Sequence, residues 1–240
     1  MTVRYRTSGF VIGKKDRFES DRVFTVFTQD FGKLEIKAKA IRKIVSKLRG
    51  GIDFLCLSEI EFIQGKNFKT LTDAVLIKKF INIEQNLEKL ETAGRMAGLL
   101  DNFIKGEQKD EEIFSLFSET LEKLENQPLC NSRYALIYRY FFWNFVSFSG
   151  YLPELYKCAV CQGGLDPSNI HISCMEGGVV CHRCLKPDNT AKKITQDIVK
   201  IMRIILKNDW NVLLKLKIDN SSLILFENIS EDYYSHLKEK

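Results

Sequence analysis

Two close pairs of cysteines restrict the fold of this chain more than any other feature of its sequence. Cys158 and Cys161 form one Cys-x-x-Cys pair, and nineteen residues separate it from the second pair, Cys181 and Cys184. Two such pairs at this separation are typical of a tetrahedral zinc site, because each short turn aims two thiolates at one ion. The spacing therefore predicts one structural Zn²⁺, held by Cys158, Cys161, Cys181 and Cys184, with no open coordination position.

The alternative for these cysteines is that they are free thiols or form disulfides. The first residues of the chain lack the apolar segment of a secretory signal, so we expect a reducing, cytoplasmic compartment in which structural disulfides are rare. Three further residues of the same segment are able to ligate a metal, but none has the paired spacing: His171, Cys174 and His182. The four paired cysteines remain the predicted ligands.

A catalytic zinc site is the second alternative. Nucleobase deaminases place a proline before their Cys-x-x-Cys pair and also carry His-x-Glu. Here Lys157 precedes Cys158, and the segment His171-Ile-Ser173 lacks the glutamate. The consecutive acidic residues Asp110-Glu111-Glu112 point in different directions on a helix, so a solvated first turn is the better explanation. Because phosphate-binding loops and hydrolase motifs are also missing from the sequence, we expect that the protein is not an enzyme.

The first 78 residues show the pattern of short strands. Leu34 to Ala40 alternates apolar and polar residues, which predicts a strand with one buried face and one mostly basic face. A turn containing Gly32 joins it to an apolar strand over Arg22–Thr28. Three more strands are predicted, over Arg6–Ile12, Phe54–Ile63 and Phe68–Ile77. Five strands in this length fit a small barrel, of which the OB-fold is the nucleic-acid-binding example.

The rest of the chain has mainly helical periodicity. One helical segment is predicted from about Asn82, a second from Asp110, a third over Ser132–Ser149 and a fourth after Lys192, with a final packed helix in an ambiguous tail. Residues 151–190 hold three of the four prolines and the four paired cysteines, which indicates a loop-rich insert. No stretch is long and apolar enough to predict a membrane crossing.

These patterns together predict an α+β multidomain chain, in which a small N-terminal five-stranded barrel is followed by helical segments and a four-cysteine zinc-binding insert. The predicted boundaries are 1–78 for the barrel, 79–150 for the first helical part, 151–190 for the zinc module and 191–240 for the C-terminal helical part.

The net charge of +5 is distributed unevenly. Residues 1–50 hold 13 lysines and arginines against five acidic residues, whereas residues 51–150 hold 11 against 15 and residues 151–240 hold 12 against 11. Cations concentrated at one end indicate a local anion-binding surface. The densest group lies on the polar side of the third predicted strand and in the loop after it: Lys37, Lys39, Arg42, Lys43, Lys47 and Arg49.

Such a group of cations predicts salt-dependent binding to phosphates without sequence readout, since each contact releases counterions. Arg17, Arg22 and Lys33 would extend it. Phe10, Phe18 and Phe31 are close enough in sequence to stack on unpaired bases, although most of them are expected in the core. The alternative is an ordinary solvated face, and charge alone does not decide between the two.

Several segments together resemble the RecO family of bacterial recombination mediators. The hairpin Thr25–Leu34 and the basic segments Ala38–Lys43 and Ser46–Gly51 are similar to the first hairpin and loop of that family. Ser149–Leu155 leads into the first cysteine pair, and Gly177-Gly178 stands shortly before the second, as in the family. The chain departs from the pattern at two positions where the family usually has glycine, Ala40 and Gln162.

The resemblance implies that the barrel is an N-terminal five-stranded OB-fold and that an α-helical domain carries the four-cysteine zinc-binding insert. It also implies a non-catalytic role in DNA repair and homologous recombination. Such proteins bind single- and double-stranded DNA, anneal complementary strands, engage the C-terminal tail of single-stranded-DNA-binding protein through the helical domain, and act with RecR to load RecA. It implies a cytoplasmic, nucleoid-associated bacterial protein, with DNA contacts through Lys39, Arg42, Lys43, Lys47 and Arg49, and then Lys37. The competing hypotheses are a zinc-stabilised transcription or translation factor that binds nucleic acid, and a zinc enzyme.

Overall fold

Two compact units make up the chain, residues 1–138 and 139–240. The structure is a computed structural model, and it describes residues 3–128, 131–185 and 191–239. The division falls inside a long helix, α4, which spans Asn131–Phe148. The domain boundaries predicted at residues 78, 150 and 190 stay predictions.

The N-terminal unit contains a closed five-stranded barrel in the order β1-β2-β3-β5-β4. All neighbouring pairs are antiparallel except β3 and β5, which close the barrel as a short parallel pair. The predicted fold class, an N-terminal barrel of the OB type followed by a helical domain with a four-cysteine insert, is confirmed. The strands are β1 Arg4–Arg17, β2 Asp21–Thr28, β3 Gly32–Ala38, β4 Leu57–Gln64 and β5 Lys69–Lys78.

Alternation along the strands explains the barrel interior. In β3, for example, Leu34, Ile36 and Ala38 are fully buried while Glu35 between them is exposed, as the period of two requires. The turn into β3 uses Gly32 at φ +64, in agreement with the predicted hairpin. Strand β1 is longer than predicted because its pairing with β2 continues through the polar residues 14–17, beyond a register shift between Val11 and Gly13.

Three helices follow the barrel: α1 Ile81–Gln85, α2 Leu87–Phe103 and α3 Glu111–Asn126. Asn86 separates the first two, since its backbone is extended and its side chain accepts a hydrogen bond from the Lys89 amide at 2.9 Å. Asp110 caps α3 in the same way through the Ile113 amide. The acidic group at 110–112 is therefore a capped first turn, as expected.

The second unit packs helices around Trp143 of α4. The Trp143 indole donates a hydrogen bond to Ser230 Oγ at 3.1 Å, and its ring meets the ring of Tyr233 edge-on at 4.7 Å. The Tyr233 hydroxyl donates to the carbonyl of Ser173 in a small sheet ordered β7-β6-β8. The remaining elements are β6 Ile170–Ser173, β7 Gly178–Cys181, β8 Lys192–Ile194, α5 Gln196–Leu206, α6 Trp210–Lys215 and α7 Asn220–Lys238.

Within the described residues, no helix is both long enough and apolar enough to cross a membrane.

Candidate metal centre and nucleic-acid surface

Two tight turns bring the paired cysteines together. In the first turn, the Gln162 amide donates to the Cys158 carbonyl at 2.9 Å, and the Cys158 amide donates to the Gly163 carbonyl at 3.0 Å. The second pair begins at Cys181, the last residue of β7, and continues into the single helical turn His182–Cys184. The two turns are joined because the Ala159 amide donates to the Val179 carbonyl of β7 at 2.8 Å.

The four sulfurs form one cluster whose dimensions fit a zinc ion. All four Sγ atoms lie within 4.8 Å of one another, and Cys161 Sγ is 3.9 Å from Cys181 Sγ. A tetrahedral site with Zn–S bonds of about 2.3 Å needs sulfurs about 3.8 Å apart. The donor set, four thiols and no carboxylate, is also one that Zn²⁺ prefers. The cluster is therefore compatible with the closed structural zinc site predicted from the sequence.

The environment of the cluster shifts the pKa values of two of its thiols in opposite directions. Burial raises the pKa of Cys158, but hydrogen bonds from the backbone amides of Cys161, Cys181 and Val160 outweigh it and lower the pKa to about 6. Hydrogen bonding with the Cys161 and Cys181 sulfurs raises the pKa of Cys184 to about 12. Four thiolates at these distances repel one another, and a bound divalent cation supplies the positive charge that allows all four to ionise.

The alternative ligands in this segment do not join the cluster. Among the described residues, the only group of three or more metal-ligating side chains consists of the four paired cysteines. His171 lies on β6, where burial lowers the pKa of its imidazole. His182 and Cys174 also stand outside the group of sulfurs.

The predicted basic segment comprises residues 37–49, and Asp21 of β2 binds its first residues. One carboxylate oxygen of Asp21 accepts the Ala40 amide at 2.9 Å, and the other pairs with Lys37 Nζ at 3.0 Å. Both hydrogen bonds lower the pKa of Asp21, and the bond from the Ala40 amide has the larger effect. Ile41 and Ile52 are buried at either end of the segment. The segment is thereby fixed to the barrel at both ends.

The six predicted DNA-contact residues differ in whether their charge is already paired. Lys37 pairs with Asp21, and Arg42 lies 3.6 Å from Asp16. The other four are exposed and have no ion pair within the part of the chain that the structure describes: Lys39, Lys43, Lys47 and Arg49. These four offer the largest unneutralised charge to a phosphate backbone.

An open groove of about 620 Å³ lies on the outer face of β1, β2 and β3, beside the basic segment. Phe18 and Phe68 both line it and are 82% and 67% exposed. Lys37 Nζ lies 5.2 Å from the centre of the Phe18 ring. Four cationic side chains and two carboxylates share the lining: Lys14, Lys15, Arg17 and Lys37, with Glu35 and Asp101. Exposed aromatic rings among cations are what single-stranded nucleic acid binds, through base stacking and phosphate contacts.

The three aromatic residues that the sequence suggested for base stacking differ in how far they are buried. Phe10 is fully buried and its ring packs edge-on against Phe117. Phe31 packs against the barrel core through Tyr5 and Phe62. Phe18 alone of the three is exposed, at the turn between β1 and β2.

Phe68 was missed because the sequence pattern assigned it to the fifth strand. In the structure that strand begins at Lys69, and Phe68 belongs to the turn after β4. The feature of the sequence that could have indicated an exposed ring is the position of Phe68 directly after the polar turn Gly65-Lys66-Asn67. Lys14 and Lys15 were missed because β1 was expected to end at Ile12.

The three cations expected to extend the basic group have different surroundings. Arg17 lines the groove. Arg22 is held by Asp16 at 2.7 Å, and Lys33 pairs with Asp101 at 3.2 Å. Arg17 therefore extends the cationic surface with an available charge, whereas Arg22 and Lys33 are partly neutralised.

Comparison with known proteins places the whole chain in one group. A family model described as "Recombination protein O N terminal" matches residues 1–80, and one described as "Recombination protein O C terminal" matches residues 84–240. A protein of Dehalococcoides mccartyi strain BAV1 named DNA repair protein RecO is 32% identical over 219 residues, which cover 91% of this chain and 85% of the relative. A protein of the same name from Acetivibrio thermocellus is 29% identical over 238 residues, 98% of this chain and 92% of the relative.

Proposed function

The chain belongs to the RecO family of DNA repair and recombination proteins, and on that premise we propose that it is a recombination mediator. In this role it binds single- and double-stranded DNA and anneals complementary strands. It also helps to load the recombinase RecA onto DNA that is coated with single-stranded-DNA-binding protein. RecR and the C-terminal tail of the single-stranded-DNA-binding protein are its proposed partners, at the bacterial nucleoid.

The observation that supports DNA binding most directly is the groove between Phe18 and Phe68 together with the adjoining cations. Lys39, Lys43, Lys47 and Arg49 are exposed and unpaired within the described residues, beside a groove that presents two phenylalanine rings. Cations attract the phosphate backbone of either DNA form, whereas aromatic rings favour unstacked bases. A surface with both features suits a protein that holds a single strand and then receives its complement.

The role proposed for the metal is structural. Four sulfurs complete the coordination of one Zn²⁺ and leave no position for a substrate or an activated water. Cys158, Cys161, Cys181 and Cys184 would hold it, and the ion would stabilise the loop-rich segment around β6 and β7. We therefore propose that the protein acts without catalysis.

Annealing is the experiment that tests this function. Two complementary strands, each coated with single-stranded-DNA-binding protein, are mixed with and without the protein, and duplex formation is followed over time. The protein should accelerate annealing, and with RecR it should shorten the lag before RecA filaments form. A protein that binds DNA but accelerates neither step would instead support the transcription or translation factor.

The contribution of the basic segment is tested by replacing Arg42, Lys43 and Lys47 together with alanine. The slope of log affinity against log salt for single-stranded DNA should fall by about two to three. Arg6→Ala is the matched control, since Arg6 lies on the same barrel but pairs with Glu59 and Glu61. An unchanged slope in the triple variant would show that DNA lies elsewhere.

A further inference from the structure

The most exposed large apolar side chains among the described residues are two neighbours in the basic segment. Ile44 is 91% exposed and Val45 is 87% exposed. Single exposed apolar residues are common on protein surfaces, but two consecutive β-branched residues with almost no neighbours are not. Neither side chain is buried in the core of the barrel. A contact with an external partner is therefore the better explanation for their position.

Two consecutive hydrogen-bonded turns support the part of the basic segment that carries Ile44 and Val45. The Lys43 amide donates to the Ala40 carbonyl, and the Ser46 amide donates to the Lys43 carbonyl, each at 3.1 Å. Ile41 is buried before this part, and Leu48 packs against the barrel core after it. Ile44 and Val45 are therefore presented on a supported projection.

All charged residues close to the apolar pair in the sequence are cations. Arg42 and Lys43 precede the apolar pair, Lys47 and Arg49 follow it, and no acidic residue occurs between Ala40 and Ile52. A ligand that suits this arrangement has negative charges on the outside and apolar surfaces behind them. Nucleic acid has this chemistry, with phosphates flanking the faces of the bases.

The projection is also continuous with the groove. The Arg42 amide donates to the Ser20 carbonyl at 3.0 Å, and its guanidinium lies near Asp16. Ser20 belongs to the turn that carries Phe18, and Asp16 lies near the end of β1, just before that turn. DNA lying in the groove would therefore pass close to Ile44 and Val45.

From these observations we propose that Ile44 and Val45 form an apolar wedge that inserts between adjacent base pairs of duplex DNA and unstacks them. Apolar side chains that enter between base steps of a duplex partly unstack them, and isoleucine is one of the residues used in this way. The cations on either side hold the backbone while the wedge is inserted. The inference rests on the proposed DNA binding and adds to it a local opening of the duplex.

The test uses a duplex that carries 2-aminopurine, whose fluorescence rises when the base is unstacked. At saturating concentrations, the wild-type protein should raise the fluorescence, and the double variant Ile44→Thr with Val45→Thr should give a rise about threefold smaller. The salt dependence of duplex binding should be unchanged in this variant, because every cation is retained. Both positions are exposed, so equal thermal stability is expected and is checked by melting.

Two matched variants separate the wedge from general effects. Val75→Thr with Ile77→Thr removes a pair of apolar side chains that are 53% and 52% exposed on β5 of the same barrel, and it should keep the full fluorescence rise. Arg6→Ala removes a cation of the same barrel that is paired with Glu59 and Glu61, and it should keep both the salt slope and the full fluorescence rise.

Several outcomes would overturn the proposal. The wedge is wrong if the wild-type protein saturates the duplex without a fluorescence rise, or if the threonine variant gives the wild-type rise; DNA binding itself would stand in both cases. It is also wrong if the threonine substitutions abolish binding to vesicles of anionic phospholipid while the duplex signal is unchanged, since the projection would then be a membrane contact. A wild-type protein without salt-dependent binding to any DNA would overturn both the wedge and the proposed function.

Discussion

Among the described residues, five non-glycine residues have a positive φ, and two of them stand at the positions where the RecO family usually has glycine. Ala40 has φ +52 and Gln162 has φ +58. Each lies beside residues with a proposed role: Ala40 directly follows Lys39 of the basic segment, and Gln162 comes directly after the first cysteine pair. The left-handed conformation is costly for residues with a Cβ atom. The hydrogen bonds described above, from the Ala40 amide to Asp21 and from the Gln162 amide to Cys158, hold both residues there.

Ala40→Gly and Gln162→Gly should each stabilise the protein. Removing the Cβ atom relieves the left-handed strain, and part of that gain is offset by the greater freedom of glycine in the unfolded chain, so the net gain in unfolding free energy is about 0.5–1 kcal/mol. Urea denaturation measures it. Ala38→Gly is the control, since Ala38 is buried in β3 and extended, and this change should destabilise. A loss of stability at Ala40 or Gln162 would contradict the explanation.

Phe18 is the residue for which base stacking can be tested most directly. Phe18→Ala should weaken binding to single-stranded DNA by about 1–3 kcal/mol, the contribution of one stacked base, while Phe18→Trp should preserve it. Fluorescence anisotropy of a labelled oligonucleotide measures both. Ile81→Ala, at another exposed apolar position of the same unit, should have no effect. Equal loss in the alanine and tryptophan variants would show that the ring does not stack.

At the scale of elements, the close approach of one backbone segment explains Gly178, the second of the two glycines before the second cysteine pair. The Val179 amide donates to the Glu154 carbonyl at 2.8 Å, which brings the segment after α4 alongside β7. A Cβ atom at Gly178 would lie only 2.3 Å from that carbonyl oxygen. The glycine is therefore required by packing within the cysteine module, a contact between residues that are far apart in the sequence.

The cysteine module itself should depend on its metal. Cys181→Ser should abolish the binding of one equivalent of Zn²⁺ and lower the thermal midpoint, because the short strands around the cluster bury too little apolar surface to fold alone. Cys174→Ser is the matched control: Cys174 lies in the same module but outside the cluster, so metal content should be unchanged. Metal analysis by mass spectrometry and a melting curve give both readouts. A metal-free wild-type protein with the same midpoint as the variant would exclude the site.

Helix prediction succeeded where the signals were local. The start of α3 was visible as an acidic first turn followed by a helical period of apolar residues, and the structure buries Ile113, Phe117, Leu121 and Leu124 on one face. The separation of α1 from α2 at Asn86 was not visible, because the apolar period continues across it. An asparagine is tolerated within a helix and is also favoured at its start. The local sequence therefore does not show whether one helix continues through Asn86 or a second helix starts there.

At the scale of the whole molecule, the four-cysteine cluster and the proposed DNA-binding surface belong to different units. The four cysteines lie in residues 139–240, and the groove and basic segment lie in residues 1–138. Both tryptophans of the chain, Trp143 and Trp210, are in the second unit. Trp143 contacts Tyr233, which in turn binds the carbonyl of Ser173 in the sheet that includes β7. Tryptophan fluorescence therefore reports on the unit that holds the cysteines.

Removal of the metal by a chelator should consequently lower the melting temperature detected by tryptophan fluorescence. The salt slope of DNA binding, measured well below that temperature, should be unchanged, since it arises from the cations of the first unit. Restoring Zn²⁺ should restore the melting temperature. A tryptophan transition that does not respond to the chelator would contradict the structural role of the metal.

By itself, the sequence determined the features that depend on spacing along the chain. The cysteine pairs, the alternating strands of the barrel and the concentration of cations in the first 50 residues all follow from residues that are close in sequence. The tertiary structure decided which of these residues are available. Arg22 and Lys33 are paired by Asp16 and Asp101, whereas Lys43 and Lys47 meet no carboxylate among the described residues. Phe10 and Phe18 have the same side chain, yet one is buried and the other exposed. Charge pairing and burial depend on the neighbours that folding brings from distant parts of the chain, and local spacing does not encode them.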